Sequence, residues 1–251
     1  MGVDLVPLLF AGAAIVAGAV LQRVSGLGVG LVVGPVLAIV FGPALGILVT
    51  NIVATMSGFL LMIAVWRNIE WRTFWIIIAT GLLGIIPGAL LVRELSAAWL
   101  QIVVGSLVVL SVLSTMMTTR LPRVQSRSAL GIAGIASGFC NVTAGVAGPV
   151  LAVYARLSGW EHIRFAATVQ PIFMTMGALS AGTKFALGST GADGFAPWWF
   201  FAGAAVLVIV GAWVGGRIAR HVSSMRARTL AILIAGLGGA VVLVRGLVGV
   251  A

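Results

Sequence analysis

The chain has 251 residues, of which 61% are hydrophobic and only 8% charged, and its mean hydropathy is +1.21. A soluble domain of this size could not keep so much apolar surface from water, so the composition predicts a polytopic membrane protein. The net charge of +10 does not indicate nucleic-acid binding, because the basic residues lie in short loops where they mark orientation. The single cysteine excludes an intramolecular disulfide and a cysteine-cluster metal site.

Five apolar segments precede a basic loop. They run over residues 5–21, 31–41, 44–66, 73–92 and 97–117. About 20 residues cross the hydrocarbon core, so the last three segments are long enough to span it. The basic loop, residues 118–127, is the predicted linker between a first repeat, residues 1–117, and a second repeat, residues 128–251. The N-terminus lacks a basic n-region, which predicts a retained first segment instead of a signal peptide.

The second half repeats this order. Its apolar segments run over residues 129–139, 147–157, 165–187, 198–216 and 229–248. The first two, each of roughly 11–13 residues, would reach only about 15–20 Å into a core of about 30 Å. They are predicted to be half-helices of a re-entrant hairpin, with full spans as the alternative, and the charge pattern gives the same sidedness for both. The predicted fold is therefore all-α, with two repeats that each contain a broken helical hairpin and three transmembrane helices.

Two glycine-rich blocks interrupt the apolar segments, one over residues 25–38 and one over residues 137–152. Each begins with Ser-Gly and contains Gly-Pro-Val-Leu-Ala. Lipid cannot satisfy the backbone groups that such a break exposes, so the break must be covered by protein or by a water-filled cavity. Paired interruptions in corresponding halves are typical of a transporter's binding site. The repeat also shows in a second element of equal spacing: Gly84, Arg93 and Ser96, then Gly211, Arg220 and Ser223.

An odd number of full helices in each half predicts that the second half crosses the membrane upside down. The distribution of charge agrees with this inversion. With the central loop inside, eleven of the fifteen basic residues face the cytoplasm: Arg67, Arg72, Arg120, Arg123, Arg127, Arg156, Arg164, Arg217, Arg220, Arg226 and Arg228. Basic loops mark the cytoplasmic side, so both termini are predicted to face outwards, which in a bacterial inner membrane is the periplasmic side.

The breaks favour an anion as ligand. A helix N-terminus presents unpaired N–H groups and about half a positive charge. Residues 29–31 and 145–147 begin the second arm of each hairpin, and two such ends meeting at the midplane would suit an anion. Small residues that allow close helix packing are the alternative explanation. The predicted substrate-binding residues are Ser25, Gly26, Gly28, Gly30, Asn51, Cys140, Asn141, Thr143, Gly145 and Gln170.

Four polar residues in or near the spans need separate interpretation. Asn51 and Gln170 lie at matching places in the two halves, where they either line the pathway or bond neighbouring helices. Arg23 either faces the anion or extends to the cytoplasmic interface. Lys184 lies near a helix end and is predicted to be interfacial.

The acidic residues fall outside the predicted spans. They are Asp4, Glu70, Glu94, Glu161 and Asp193. Proton and metal-ion carriers usually need an intramembrane carboxylate or histidine. The positions of the acidic residues therefore argue against a proton carrier and a metal-ion carrier, and no metal or other cofactor is expected. The same positions also argue against an intramembrane protease, because Ser25 and Ser137 have no candidate base in a span.

With these motifs, the sequence resembles the TauE/SafE family of sulfite exporters, small bacterial permeases with a duplicated domain. The resemblance rests on residues 24–30 with Gly34-Pro35, on the block of residues 137–149, and on the Gly84–Arg93 element. It implies transport of sulfite, small organosulfonates or related oxyanions, usually outwards. A proton-driven importer of organosulfonates, an anion channel and an intramembrane enzyme are the alternatives. The sequence leaves the oligomeric state open, with a homodimer among the options.

Overall fold

The structure is a computed structural model that describes residues 5–26, 29–117, 124, 126–191 and 198–250. These residues form ten α-helices, a short 3₁₀ turn at Trp66–Asn68, and no strand. The helices are α1 (Leu5–Ser25), α2 (Val29–Phe41), α3 (Pro43–Val65), α4 (Trp71–Glu94), α5 (Ala97–Met117), α6 (Arg127–Ala144), α7 (Gly148–Ser158), α8 (His162–Ala186), α9 (Trp198–Ile218) and α10 (Ser224–Val250). The all-α prediction is confirmed for this part of the chain.

Six of the described helices are long and apolar enough to cross a membrane, namely α1, α3, α4, α5, α9 and α10. Helix α8 has 25 residues, which is about 37 Å at 1.5 Å per residue, but it carries more polar side chains. Helices α2 and α7 have 13 and 11 residues and are too short to span. The chain is therefore a multi-pass membrane protein, as its composition predicted.

The first arm of the second hairpin is longer than predicted. It was expected to end at Phe139, but α6 has 18 residues and continues to Ala144, so it is about 27 Å long. The hydroxyl side chains that suggested a break bond to carbonyls of their own helix: Ser137 Oγ donates to Gly134 O at 2.9 Å and Thr143 Oγ1 to Phe139 O at 2.6 Å. Such bonds keep Ser and Thr inside a helix without an unpaired group.

Each first arm ends at a glycine with a left-handed backbone. Gly26 follows α1 with φ of 77°, and Gly145 follows α6 with φ of 73°. This conformation costs glycine little and other residues much, which explains where both helices stop. The sequence comparison of the two halves pairs Ser25-Gly26 with Ser137-Gly138. That pairing is wrong, because the residue that ends its helix as Gly26 does is Gly145. A Cβ on Gly138 would meet the Gly81 carbonyl oxygen, so this second Ser-Gly pair belongs to helix packing.

The helix contacts of the first half recur in the second half, with α1–α5 corresponding in order to α6–α10. Helix α4 packs on α6 as α9 packs on α1, and α4 contacts α8 as α9 contacts α3. The α3–α8 and α5–α10 pairs each map onto themselves. This pattern supports a duplicated architecture, with α3 and α8 at its centre. The inversion of the second half relative to the membrane stays a prediction.

The α4–α6 contact depends on glycine. A Cβ on Gly84 would meet the Ile135 carbonyl oxygen and lie 2.8 Å from the Phe139 nitrogen, so the backbones themselves are in contact. We expect Gly84→Ala to destabilise the protein by about 1–3 kcal/mol, the usual cost of overpacking. Gly203→Ala is the matched control, because a Cβ there meets nothing within 4 Å. Thermal unfolding in detergent measures both variants, and equal midpoints would contradict this account of the contact.

Candidate functional site

The two helix breaks line one small cavity. Residues 29–31, at the start of α2, face residues 145–149, which lead into α7, and the cavity between them has a volume of about 20 Å³. Gln22 of α1 and Asn141 of α6 complete its polar lining. A space of this size holds about one water molecule. The structure is thus closed around the point where both short helices begin.

Glycine is required where the breaks touch. A Cβ on Gly30 would meet the carbonyl oxygen of Gly145, and one on Gly34 would lie 3.1 Å from the Ala144 oxygen. No side chain caps the start of α7 at Ala147. Among the described residues, the N–H groups of Gly148 and Val150 in its first turn therefore have no capping side chain, and Pro149 has no N–H. Unpaired N–H groups and the helix dipole make such a position favourable for an anion.

A first polar cluster joins α1, α3 and α8. Gln22 Nε2 donates to Gln170 Oε1 at 2.8 Å, and Ser57 Oγ donates to Gln22 Oε1 at 3.0 Å. Gln170 Nε2 also donates to the Ala166 carbonyl at 3.1 Å. All three side chains of this cluster are buried. The Gln22–Gln170–Ser57 cluster closes one side of the cavity.

A second polar cluster occupies the equivalent place in the other half. Asn141 Nδ2 donates to Ser180 Oγ at 2.9 Å and to Asn51 Oδ1 at 3.4 Å. Gln22 stands four residues before Gly26 and Asn141 four residues before Gly145, so each left-handed glycine is preceded by a buried amide. Each of these amides bonds an amide on a central helix, Gln170 on α8 or Asn51 on α3.

The sequence model of the family described as sulfite exporter TauE/SafE matches residues 10–244. The chain belongs to the TauE/SafE family. The match includes both breaks and both polar clusters, so the predicted resemblance is confirmed. TauE/SafE proteins are membrane transporters of sulfite or related sulfur anions, not enzymes, and this membership gives the protein's general function. No curated protein and no solved structure matches the chain.

The structure places the predicted site residues of this TauE/SafE protein in several positions. Gly30, Gly145 and Asn141 line the cavity, whereas Asn51 and Gln170 lie behind it in the two clusters. Cys140 and Thr143 were expected within the break but belong to the last turns of α6, both buried. Ser25 ends α1 and Gly26 follows it, and both line open cavities on the Gln22 side. Gly28 lies outside the described residues.

Two basic residues differ in location. Arg23 is exposed in the last turn of α1 and does not line the cavity between the breaks. It lines a surface groove with Trp213 and Arg217, and it also lines the cavity of about 260 Å³ that contains Gln22 and Gln170. Lys184 was predicted to be interfacial, and that prediction is wrong. Its side chain is fully buried, and its Nζ has no hydrogen-bond partner among the described residues. A lysine in the last turn of a helix resembles an interfacial anchor in sequence, and only the packing around α8 shows otherwise.

Two open cavities adjoin the Gln22–Gln170–Ser57 cluster. One, of about 260 Å³, is lined by Gln22 and Gln170 themselves, and a neighbouring one of about 500 Å³ contains Arg156 and Arg228. His162 lines both. Because Gln22 also lines the central cavity, this cluster lies between the central cavity and the cavity of about 260 Å³.

Sequence reasoning missed Gln22, which looked like the polar end of an apolar segment. The available signal was its distance from the glycine that ends its helix. The four-residue spacing of Gln22 and Gly26 recurs in Asn141 and Gly145, and an alignment on those glycines would have singled out both amides.

Proposed function

We propose that the protein exports a small sulfur oxyanion, such as sulfite or an organosulfonate, by alternating access around its two breaks. The observation that carries this proposal is the shared cavity, where the starts of α2 and α7 face each other beside Gln22 and Asn141. Helix starts and amide donors are suited to oxygen atoms that carry negative charge. The predicted site residues would act as a unit around this cavity.

The two polar clusters would be the gates. Parting of Gln22 from Gln170 and Ser57 would connect the central cavity to the cavity that Gln22 and Gln170 line. The neighbouring cavity with Arg156 and Arg228 would be the basic entrance, which the charge pattern predicts to be cytoplasmic. Parting of Asn141 from Asn51 and Ser180 would open the opposite side. In the closed structure, the central cavity of about 20 Å³ is too small for an oxyanion, so binding requires one gate to open.

Export through such gates needs no coupling ion. An inside-negative potential favours the exit of an anion by about 2.3 kcal/mol per charge for each 100 mV. The basic entrance would raise the local concentration of anions on the predicted cytoplasmic side. Direction would then follow from the membrane potential.

Flux in proteoliposomes tests this function. Vesicles with the purified protein are loaded with sulfite, sulfate, taurine or an aromatic sulfonate, and release is followed with and without an imposed potential. We expect saturable, potential-dependent release of at least one sulfur anion, with counterflow. Flux that does not saturate would indicate a channel, uptake driven by a proton gradient would indicate an importer, and no flux of any of the four would contradict the proposal.

The inverted arrangement of the halves has its own test. The predicted topology puts Met117 on the cytoplasmic side and Val250 on the periplasmic side, because basic loops face the cytoplasm. Reporter fusions after Met117 should therefore be active as cytoplasmic reporters only, and fusions after Val250 as periplasmic reporters only. Both ends of the second half on one side of the membrane would rule the inversion out.

A further inference from the structure

We propose that Lys184 supplies the positive charge that holds the transported anion, in a site shared with the Asn51 amide and the Asn141–Ser180 pair. The inference rests on the proposed anion transport and names the part of the protein in which the anion is bound most tightly. Two observations lead to it: Lys184 Nζ and Asn51 Nδ2 are buried donors without an acceptor among the described residues, and they belong to the facing helices α8 and α3, which also carry Ser180 and Asn51 of one polar cluster.

Lys184 is the first of these donors. It is the only lysine of the chain, its side chain is fully buried, and its Nζ is without a hydrogen-bond partner in the described part of the chain. A buried ammonium that lacks a counter-charge is strongly unfavourable, because the interior does not replace the hydration that the group has lost. A charge kept at such a position in a membrane protein usually serves substrate or ion binding.

The spacing along α8 places this side chain on the helix face that carries Ser180 of the second cluster. Ser180 precedes Lys184 by four residues, so the two side chains share one face of the helix. Helical side chains lean toward the helix N-terminus, which brings the Lys184 ammonium back toward Ser180. Ser180 is itself fully buried and accepts the 2.9 Å bond from Asn141.

Asn51 provides the second donor without an acceptor. Its Oδ1 accepts from Asn141, but its Nδ2 is buried and unpaired among the described residues. Its backbone lies against α8, since a Cβ on Gly177 would be 2.5 Å from the Asn51 carbonyl oxygen. Gly177, Ser180 and Lys184 follow at intervals of three and four residues, along one face of α8. Two donors that lack acceptors are what an oxyanion with several oxygens would satisfy.

The equivalent cluster in the other half lacks this charge. Asn51 and Gln170 are related by 119 positions (170 − 51 = 119), and the same shift relates Lys184 to Val65 (184 − 65 = 119). Gln22, Gln170 and Ser57 are bonded to one another, and none of them has a buried side-chain atom without a partner in the structure. The pathway is therefore asymmetric, with the anion held at the Asn141 gate and not at the Gln22 gate.

Removal of the charge tests the assignment. Lys184→Met keeps the length of the side chain and is expected to weaken sulfite binding by roughly ten- to a hundred-fold, the usual effect of losing a hydrogen bond to a charged group. Arg67→Met is the matched control: it removes an exposed positive charge in the turn before α4 and should leave sulfite affinity within about twofold. Binding is measured by the shift of the thermal midpoint with sulfite concentration. Without sulfite, Lys184→Met should unfold at a higher temperature than the wild type, because an uncompensated buried charge has gone.

A measurement on the unaltered protein keeps the test independent of that variant. The chain has one lysine. Protein labelled with lysine that carries ¹³C at Cε therefore gives one lysine Cε resonance in the NMR spectrum. Sulfite should shift it saturably, with the same midpoint as the thermal titration. If the wild type binds sulfite while the resonance stays fixed, or Lys184→Met binds it equally well, only the role of Lys184 is overturned. If the wild type binds none of the four anions above, the proposed function and this inference both fall.

Discussion

Replacement of Gly30 by alanine is expected to abolish transport and to lower the stability of the protein. The added methyl group would meet the carbonyl oxygen of Gly145 and lie within 3.6 Å of the Val146 Cα, so backbone would have to move at the point where the two breaks touch. Overpacking against side chains costs about 1–3 kcal/mol, and a backbone neighbour cannot rotate away as a side chain can. The start of α2 and the approach to α7 would separate, and the shared cavity would lose its shape.

Gly12→Ala is the matched control for Gly30→Ala. Gly12 lies in the apolar helix α1, and a Cβ there would meet only Leu207 Cδ1 at 3.4 Å. This variant should keep the flux and the unfolding temperature of the wild type. Anion release from proteoliposomes and thermal unfolding in detergent are compared at equal protein incorporation. Flux through Gly30→Ala at the level of Gly12→Ala would show that the contact of the breaks is not needed for transport.

The fold was predictable to the extent that it depends on the lengths of apolar runs. Spans such as 73–92 and 97–117 became α4 and α5 almost unchanged, because about 20 apolar residues have no other stable state in a bilayer. The short arms α2 and α7 were also predictable, since the apolar runs 31–41 and 147–157 are too short to cross the hydrocarbon core.

Helix ends next to small hydroxyl residues were not predictable from hydropathy. Thr143 lowers the apolar character of its segment, yet its hydroxyl bonds the Phe139 carbonyl and the helix continues past it. Only a residue that must be left-handed stops the helix, and Gly138 and Gly145 look alike in sequence. The φ of 73° at Gly145 results from the packing of the break as a whole.

The candidate site was predictable in its backbone but not in its side-chain pairs. Gly30 and Gly145 were predicted on opposite breaks and do line one cavity. Gln22 and Gln170 are 148 residues apart, and no local pattern indicates that one bonds the other. Burial of Lys184 likewise depends on which helices surround the end of α8, which its own segment does not encode.

Replacement of Asn141 by aspartate should remove anion binding almost completely. Asn141 lines the central cavity and donates to Ser180 and Asn51, so the new carboxylate would lie beside the helix starts and in the cluster to which we assign Lys184. It would occupy these positive groups itself and repel a second anion at the same place. We expect a loss of affinity of at least about a hundred-fold, since both the attraction and the donated bonds are lost.

The neutral variant Asn141→Ala separates charge from lost hydrogen bonds. It removes the same two bonds without adding a carboxylate, so its affinity for sulfite should fall by only about tenfold.

The two variants should also differ in stability without substrate. A carboxylate near Lys184 would pair with the buried ammonium, so Asn141→Asp should unfold at a higher temperature than Asn141→Ala. This difference should vanish in the background of Lys184→Met, because the charge that the carboxylate pairs with is absent there. Sulfite titrations and thermal unfolding are carried out on Asn141→Asp and Asn141→Ala, each with Lys184 present and with Lys184→Met. Wild-type affinity for sulfite in Asn141→Asp would show that the anion binds elsewhere.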